Sequence, residues 1–148
     1  MLEFVMIELF RAIPDVDVLL ALRPEELGAK LLFLVRQLER DRSINPANYL
    51  SEVSGQGGSA PAYPRDRLAD VELACVEAWS WLLAQGLIVP EPGSSGNNGW
   101  RQLSRRARTF ENEEDFTGVV SAQSLRNPYC IHRLQKRCGS RLSVASMT

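Results

Sequence analysis

"EAWSWLLAQGLIVPEPGSSGNNGWRQLSRRAR", residues 77–108, changes its period in the middle. Read together with the residues before it (65–86), its first part is helical. Leu68, Val71, Cys75, Trp79 and Leu82 recur on one face, and Ala78 and Leu83 widen that face. Trp81 lies off the face, so the helix is apolar over more than one side. Gly86 is placed to end it, because a left-handed residue closes a helix at least cost when it has no Cβ. Leu87-Ile88-Val89 then reads as a short β run, Gly93 to Gly99 as a turn-rich tip, and Trp100-Arg101-Gln102-Leu103 as the returning strand. Pro90 and Pro92 fit an edge strand, which can lose an N–H donor. Ser104 is positioned to cap a following turn that carries Arg105, Arg106 and Arg108.

Upstream, "RPEELGAKLLFLVRQLERD" (23–41) is the clearest helix. Pro24 suits the first turn, Glu25 and Glu26 favour the positive end of the dipole, and Leu27, Leu31, Leu34, Val35 and Leu38 form one apolar face. Leu2–Ala12 and Asp15–Leu22 read as shorter helices split by Pro14, and "NPANYLSEV" (45–53) as a two-turn helix capped by Asn45 with Pro46 first. "SGQGGSAPAYP" (54–64) is a loop by composition, and "ENEED" (111–115) an acidic, solvated segment. Helices at 24–40, 46–53 and 66–85 followed by a hairpin at 87–103 give the element order of a winged helix-turn-helix. The expected fold class is therefore α+β, mostly helical, with a two-stranded β-hairpin wing. The expected division is an N-terminal helical segment (1–22), a winged-helix domain (23–110), and an acidic linker with a poorly packed tail (111–148).

At 148 residues, 45% hydrophobic and 24% charged, the chain is long enough for one domain with a real core. No apolar run approaches the ~18–20 residues of a membrane span, and the start carries Glu3, Glu8 and Arg11 inside its apolar run, so it does not read as a signal peptide. Three cysteines without an export signal point to free thiols in a reducing cytoplasm. The net charge of −1 hides an asymmetry: Arg126, Arg133, Lys136, Arg137 and Arg141 have no acid among them, leaving 12 bases against 18 acids in residues 1–125. A body at −6 has no general basic field for phosphate.

In winged-helix DNA binders the helix before the wing enters the major groove. That reading assigns Arg65 and Arg67 to phosphates or base edges, and Arg101, Arg105, Arg106 and Arg108 to a wing-side patch. Asp66, Asp70, Glu72 and Glu77 lie along the same helix and oppose it. Protein docking is therefore the leading expectation, and weak, salt-sensitive DNA binding the alternative. Trp79 reads as core, Trp81 as cover for the N-terminal helices, Trp100 as packing against the wing base, and Cys75 as a small buried hydrophobe. No base, nucleophile and metal motif converge, so no catalytic residue, no metal site, no cofactor and no enzymatic activity are expected.

From Leu27 to Phe110 the chain resembles the N-terminal part of the Ymh family of prokaryotic conserved hypothetical proteins. The residues that carry the resemblance are "PEELGAKLL", "YP", "EAWSWLLAQGLIVPEPG" and "GWRQLSRRAR". The resemblance implies a winged-helix-like front, a helical C-terminal domain opening with an L-P…L-H-P-x-I motif, and an occurrence near phage, plasmid and restriction loci. The family's function is unassigned; with no catalytic constellation in the residues, the expectation is a docking or regulatory front end, with another protein or a missing C-terminal effector domain as partner.

The last 22 residues, "NPYCIHRLQKRCGSRLSVASMT" (127–148), depart from that pattern. Cys130, His132 and Cys138 offer three zinc-type ligands where structural zinc takes four in paired short spacings. A basic arm fits the charge better. The genetic code supplies a third reading. Joining the third base of each codon from Asn127 to the first two of the next permits S-L-L-H-P-S-I-A-E-K-V, and one base restored between Leu125 and Arg126 permits L-P-K before it. That string resembles the Ymh family's C-terminal opening, so a frameshift is expected to begin near residue 126. Resequencing the locus decides it; an immediate stop in the alternative frame would sink the reading.

Overall fold

A computed structural model of the chain describes residues 9–38, 43–55 and 60–126. The fold is α+β and mostly helical, with a two-stranded antiparallel sheet. The chain divides into two compact units, Met1–Glu113 and Glu114–Thr148.

In the first unit, residues 9–12 are helical, and Pro14 separates them from α1 (Val16–Ala21). Asp15 caps α1, its Oδ1 accepting from the Asp17 N–H at 2.8 Å. Helix α2 runs Pro24–Leu38. The Glu26 carboxylate reaches back to accept from the Arg23 N–H at 2.9 Å, the return half of a capping box. That backbone donor, helped by the Arg23 side chain, holds the Glu26 carboxyl below the usual range. Helix α3 spans Pro46–Val53, with Asn45 Oδ1 accepting from the Ala47 N–H at 3.0 Å.

A 3-10 turn at Arg65–Arg67 leads into the long helix α4, Leu68–Ala84, so the first turn expected to be α-helical is wound more tightly. Its end is a Schellman motif. Gly86 takes φ +65°, the Leu87 N–H donates to Leu82 O at 3.0 Å, and the Gly86 N–H donates to Leu83 O at 3.0 Å. Leu87 and Leu82 are both buried there, the hydrophobic contact that usually accompanies this cap.

The turned chain enters β1 (Ile88–Pro90), which pairs with β2 (Arg101–Leu103) in the register Ile88↔Leu103, Val89↔Gln102, Pro90↔Arg101. The tip between them, expected as an open turn, contains a single helical turn, α5 (Ser94–Asn97). A Cβ on Gly96 would collide with the Glu91 carbonyl oxygen, so the turn closes tightly only because that residue is glycine. On its other side β2 gains a third strand position. Arg101 exchanges both backbone hydrogen bonds with Ile44, each at 2.7 Å. Because the Arg101 N–H and C=O point to Ile44, Pro90 opposite needs no donor, which explains a proline inside β1.

After β2, Ser104 Oγ accepts from the Ala107 N–H at 3.1 Å and so caps the basic turn 104–107, as expected, which leads into a 3-10 turn at Ala107–Thr109. The core is built from Leu27, Leu31, Leu32 and Val35 of α2, Tyr49 and Val53 of α3, Val71, Cys75, Ala78, Trp79 and Leu82 of α4, and Leu87, Ile88 and Leu103 of the hairpin. Leu9, Ile13 and Leu19 join it from the N-terminal segment. Tyr63 of the loop is buried and donates its hydroxyl to Ile13 O at 2.9 Å. Helices α2 and α4 approach closely at Gly28, where a Cβ would stand 3.3 Å from Trp81 Cε3 and 3.4 Å from Leu82 Cγ.

A last helix, α6, spans Glu113–Arg126 and carries the second unit's described residues. The acidic segment read as a linker thus ends inside a helix: Glu113, Glu114 and Asp115 favour its positive N-terminal end. Phe116 of this helix is buried. Residues 127–148 lie outside the described residues, and with them the zinc-type trio Cys130, His132 and Cys138, the basic arm and the frame-shifted reading. So do residues 1–8 of the expected first helix.

Candidate interface on the long helix and the hairpin

The six arginines read as a nucleic-acid patch fall into separate environments. Arg65 is exposed at the start of the 3-10 turn before α4. Arg67 pairs with Asp17 at 3.0 Å and with Asp70 at 3.8 Å, linking α1 to the root of α4. Arg101 folds back into the hairpin, its Nη1 donating to Gly96 O and Trp100 O, both at 3.0 Å. It braces the tip from inside instead of extending from it. Arg105 and Arg106 are exposed, and neither makes an ion pair among the described residues. Arg108 is exposed, and its carbonyl accepts from Arg36 Nη2 at 3.4 Å.

Position separates them further. The Ser104 N–H donates to Leu87 O at 2.9 Å, so Arg105 and Arg106 stand beside the C-terminal end of α4. Arg65 and Arg67 stand at its N-terminal end, and 17 helical residues at 1.5 Å each hold the two groups roughly 25 Å apart. The fold does not bring the six together as one patch.

The side of α4 turned away from the core carries a different chemistry. Leu73, Val76, Ser80 and Leu83 follow one another at three- and four-residue steps on one stripe. Leu73 is 58% exposed, Val76 42% and Leu83 37%. Leu83, expected to widen the core face, therefore belongs to the outer stripe. Its place between the two faces follows from a helix that is apolar nearly all round. Glu72 flanks the stripe on one side, and Asp70 and Glu77 flank it on the other. From Leu68 to Ala84 there are three acids and no base. The clue available in the sequence was Trp81 lying off the Val71–Cys75–Trp79 face, since a second apolar side has to be covered by something or left open.

The remaining candidates resolve as packing. Trp79 is buried against Tyr49 in an edge-to-face pair with ring centroids 5.7 Å apart. Trp81, expected to cover the N-terminal helices, lies instead over Gly28 of α2. The Trp100 backbone ties the tip to the strands, its N–H donating to Ser95 O and its carbonyl accepting from the Glu91 N–H, both at 3.1 Å. Burial, with the Glu72 carboxylate as a lesser cause, pushes the Cys75 thiol up to about 12, so its reactive thiolate is suppressed at neutral pH. An open depression of about 370 Å³ lies beside α2, and within it Lys30 pairs with Glu113 at 3.1 Å. Among the described residues no group of three His, Cys, Asp or Glu is arranged to hold a metal, and no helix is long and apolar enough to cross a membrane.

Comparison with protein-family models, with curated proteins and with solved structures finds no match to this chain.

Proposed function

We propose that residues 23–110 form a winged-helix module that docks another protein and performs no catalysis, as the front end of a mobile-element or defence-associated prokaryotic protein. The order α2, Ile44 bridge, α3, α4, β1, β2 supports the winged-helix reading, because a single strand position between the first two helices of the module closes onto the return strand of the wing. The resemblance of Leu27–Phe110 to the Ymh family supports the setting. The observation that carries docking over DNA reading is the outward face of α4. A helix that lies against phosphate needs donors and positive charge. This one offers Leu73, Val76 and Leu83 between carboxylates.

Arg105 and Arg106 favour a second reading, weak and salt-sensitive duplex binding beside the wing, since both are exposed. The two readings separate in one pair of measurements. A photo-crosslinking residue at position 76, introduced into the chain in its source cells, is expected to yield a discrete protein adduct, whereas one at position 105 is not. Titration of labelled duplex at physiological salt is expected to show micromolar or weaker binding, reduced for all sequences by Arg105→Ala with Arg106→Ala. Nanomolar duplex binding, with no protein adduct at position 76, would overturn docking.

A further inference from the structure

The stripe on α4 has features that restrict what can cover it. One exposed leucine or valine needs no explanation on a protein surface, but three on one helical face form an apolar line interrupted by Ser80. From Leu73 to Leu83 the line is about 15 Å long, which matches three turns of a second helix laid along it. The centre holds Ser80, small enough for a partner side chain to approach the helix backbone. Both edges are acidic: Glu72 on one, Asp70 and Glu77 on the other. The exposed arginines Arg65, Arg105, Arg106 and Arg108 lie beyond the two ends of α4, not along it.

A second copy of this chain fits that face poorly. Two α4 helices related by a two-fold axis near Val76–Ser80 would set Glu77 against Glu77 beside the axis, with no lysine or arginine on either face to offset them. A phosphate backbone meets the same carboxylates. An amphipathic helix with an apolar stripe and a basic residue on each side meets all of them favourably, with Leu73, Val76 and Leu83 as the dry centre and the carboxylates as the charged rim.

We infer that α4 receives a partner's amphipathic helix whose apolar stripe is flanked by lysine or arginine. This rests on the docking reading and specifies its partner. The test uses the full chain and three labelled synthetic helices followed by fluorescence anisotropy. The first has leucines at i, i+3, i+7 and i+10 flanked by lysines. The second has the same leucines flanked by glutamates. The third has the first one's composition in scrambled order. The lysine-flanked helix is expected to bind saturably and about tenfold or more tighter than either of the others. Leu73→Ser with Val76→Ser should weaken it by a similar factor while circular dichroism stays unchanged and the urea midpoint shifts only slightly. Glu72→Gln with Glu77→Gln should narrow the gap between the lysine and glutamate helices several-fold.

Absence of saturable binding by the lysine-flanked helix overturns the inference. Equal binding of the three helices, or binding indifferent to the serine pair, does the same. A concentration-dependent dimer in sedimentation that the serine pair abolishes also overturns it, in favour of a second copy. If these arms fail while the crosslinker at position 76 still captures a protein, docking stands and only the partner's chemistry falls. If the duplex binds at nanomolar concentration and position 76 captures nothing, docking itself has failed.

Discussion

Gly28 is a place where a single missing methyl group sets a helix spacing. A Cβ there would meet the Trp81 ring at 3.3 Å and Leu82 at 3.4 Å, so α2 and α4 approach across a position with no side chain. Gly28→Val adds three carbons where even one is tight. It is expected to lower stability by about 1–3 kcal/mol, measured as a shift of the urea midpoint without loss of secondary structure. Cys75 makes a second residue-scale prediction, this one about pH. Its thiol has an ordinary value of 9.0 in the unfolded chain and is pushed up to about 12 by burial in the fold. Above the lower of these values the unfolded chain releases a proton that the folded chain keeps, so stability falls as pH rises from about 9 towards about 12. Below that window the contribution is fully present. Burial also raises the Tyr63 phenol, which acts in the same direction at higher pH. Urea midpoints at about pH 8 and pH 10.5 should show the decline, and Cys75→Ala should make it shallower.

At the scale of elements, the joint between α3 and the hairpin is held by side chain to backbone bonds. Asn45 does two things at once: its Oδ1 caps α3 through the Ala47 N–H at 3.0 Å, and its Nδ2 donates to Asn98 O at 3.2 Å in the hairpin tip. The start of one helix is thereby tied to the turn between two strands. Asn45→Ala should cost about 1 kcal/mol for the lost cap, within the range of ~0.5–2 for such substitutions. It should also speed amide exchange across residues 95–100, where the tip loses an anchor; unchanged exchange there would mean that the tip holds itself. Arg101 belongs to the same joint, because its guanidinium donates to two carbonyls of the hairpin, Gly96 O and Trp100 O, in addition to their backbone donors. Serving that purpose from inside the hairpin, it does not extend from the tip.

Across the whole module, one helix separates what the fold needs from what it leaves over. The inner face of α4 contributes five buried residues, Val71, Cys75, Ala78, Trp79 and Leu82. The outer stripe contributes none of the core. Leu82→Ala should therefore cost about 2–5 kcal/mol, as expected when a buried leucine leaves a cavity. Leu73→Ser with Val76→Ser should change stability by no more than about 0.5 kcal/mol per site, the usual range for surface positions. Thermal or urea unfolding of the three chains checks both halves. A large loss from the serine pair would mean that the outer stripe packs within the module and is no free face.

Much of this architecture was legible in the sequence because its signals are local. Pro24 with two following glutamates, Asn45-Pro46, Gly86 before Leu-Ile-Val, and Ser104 before a basic turn each constrain the backbone through neighbours a few residues away, and all four act in the fold as read. What tertiary structure alone decided concerns residues with no periodic neighbours, or with too many. Ile44 is a strand position one residue long, so nothing beside it announces a strand; it exists because β2 presents the unused hydrogen-bonding edge of Arg101. The helical turn at Ser94–Asn97 looks like any run of Gly, Ser and Asn until Gly96 is seen packed under the Glu91 carbonyl. The start of α6 was hidden because acids serve equally as a solvated linker and as a helix N-terminus. The two faces of α4 show the same limit most plainly. A helix apolar nearly all round does not say which side is core, and only the packing of α2, α3 and the hairpin against Val71, Cys75 and Trp79 left Leu73 and Val76 outside, where a free apolar face has to be accounted for by something other than folding.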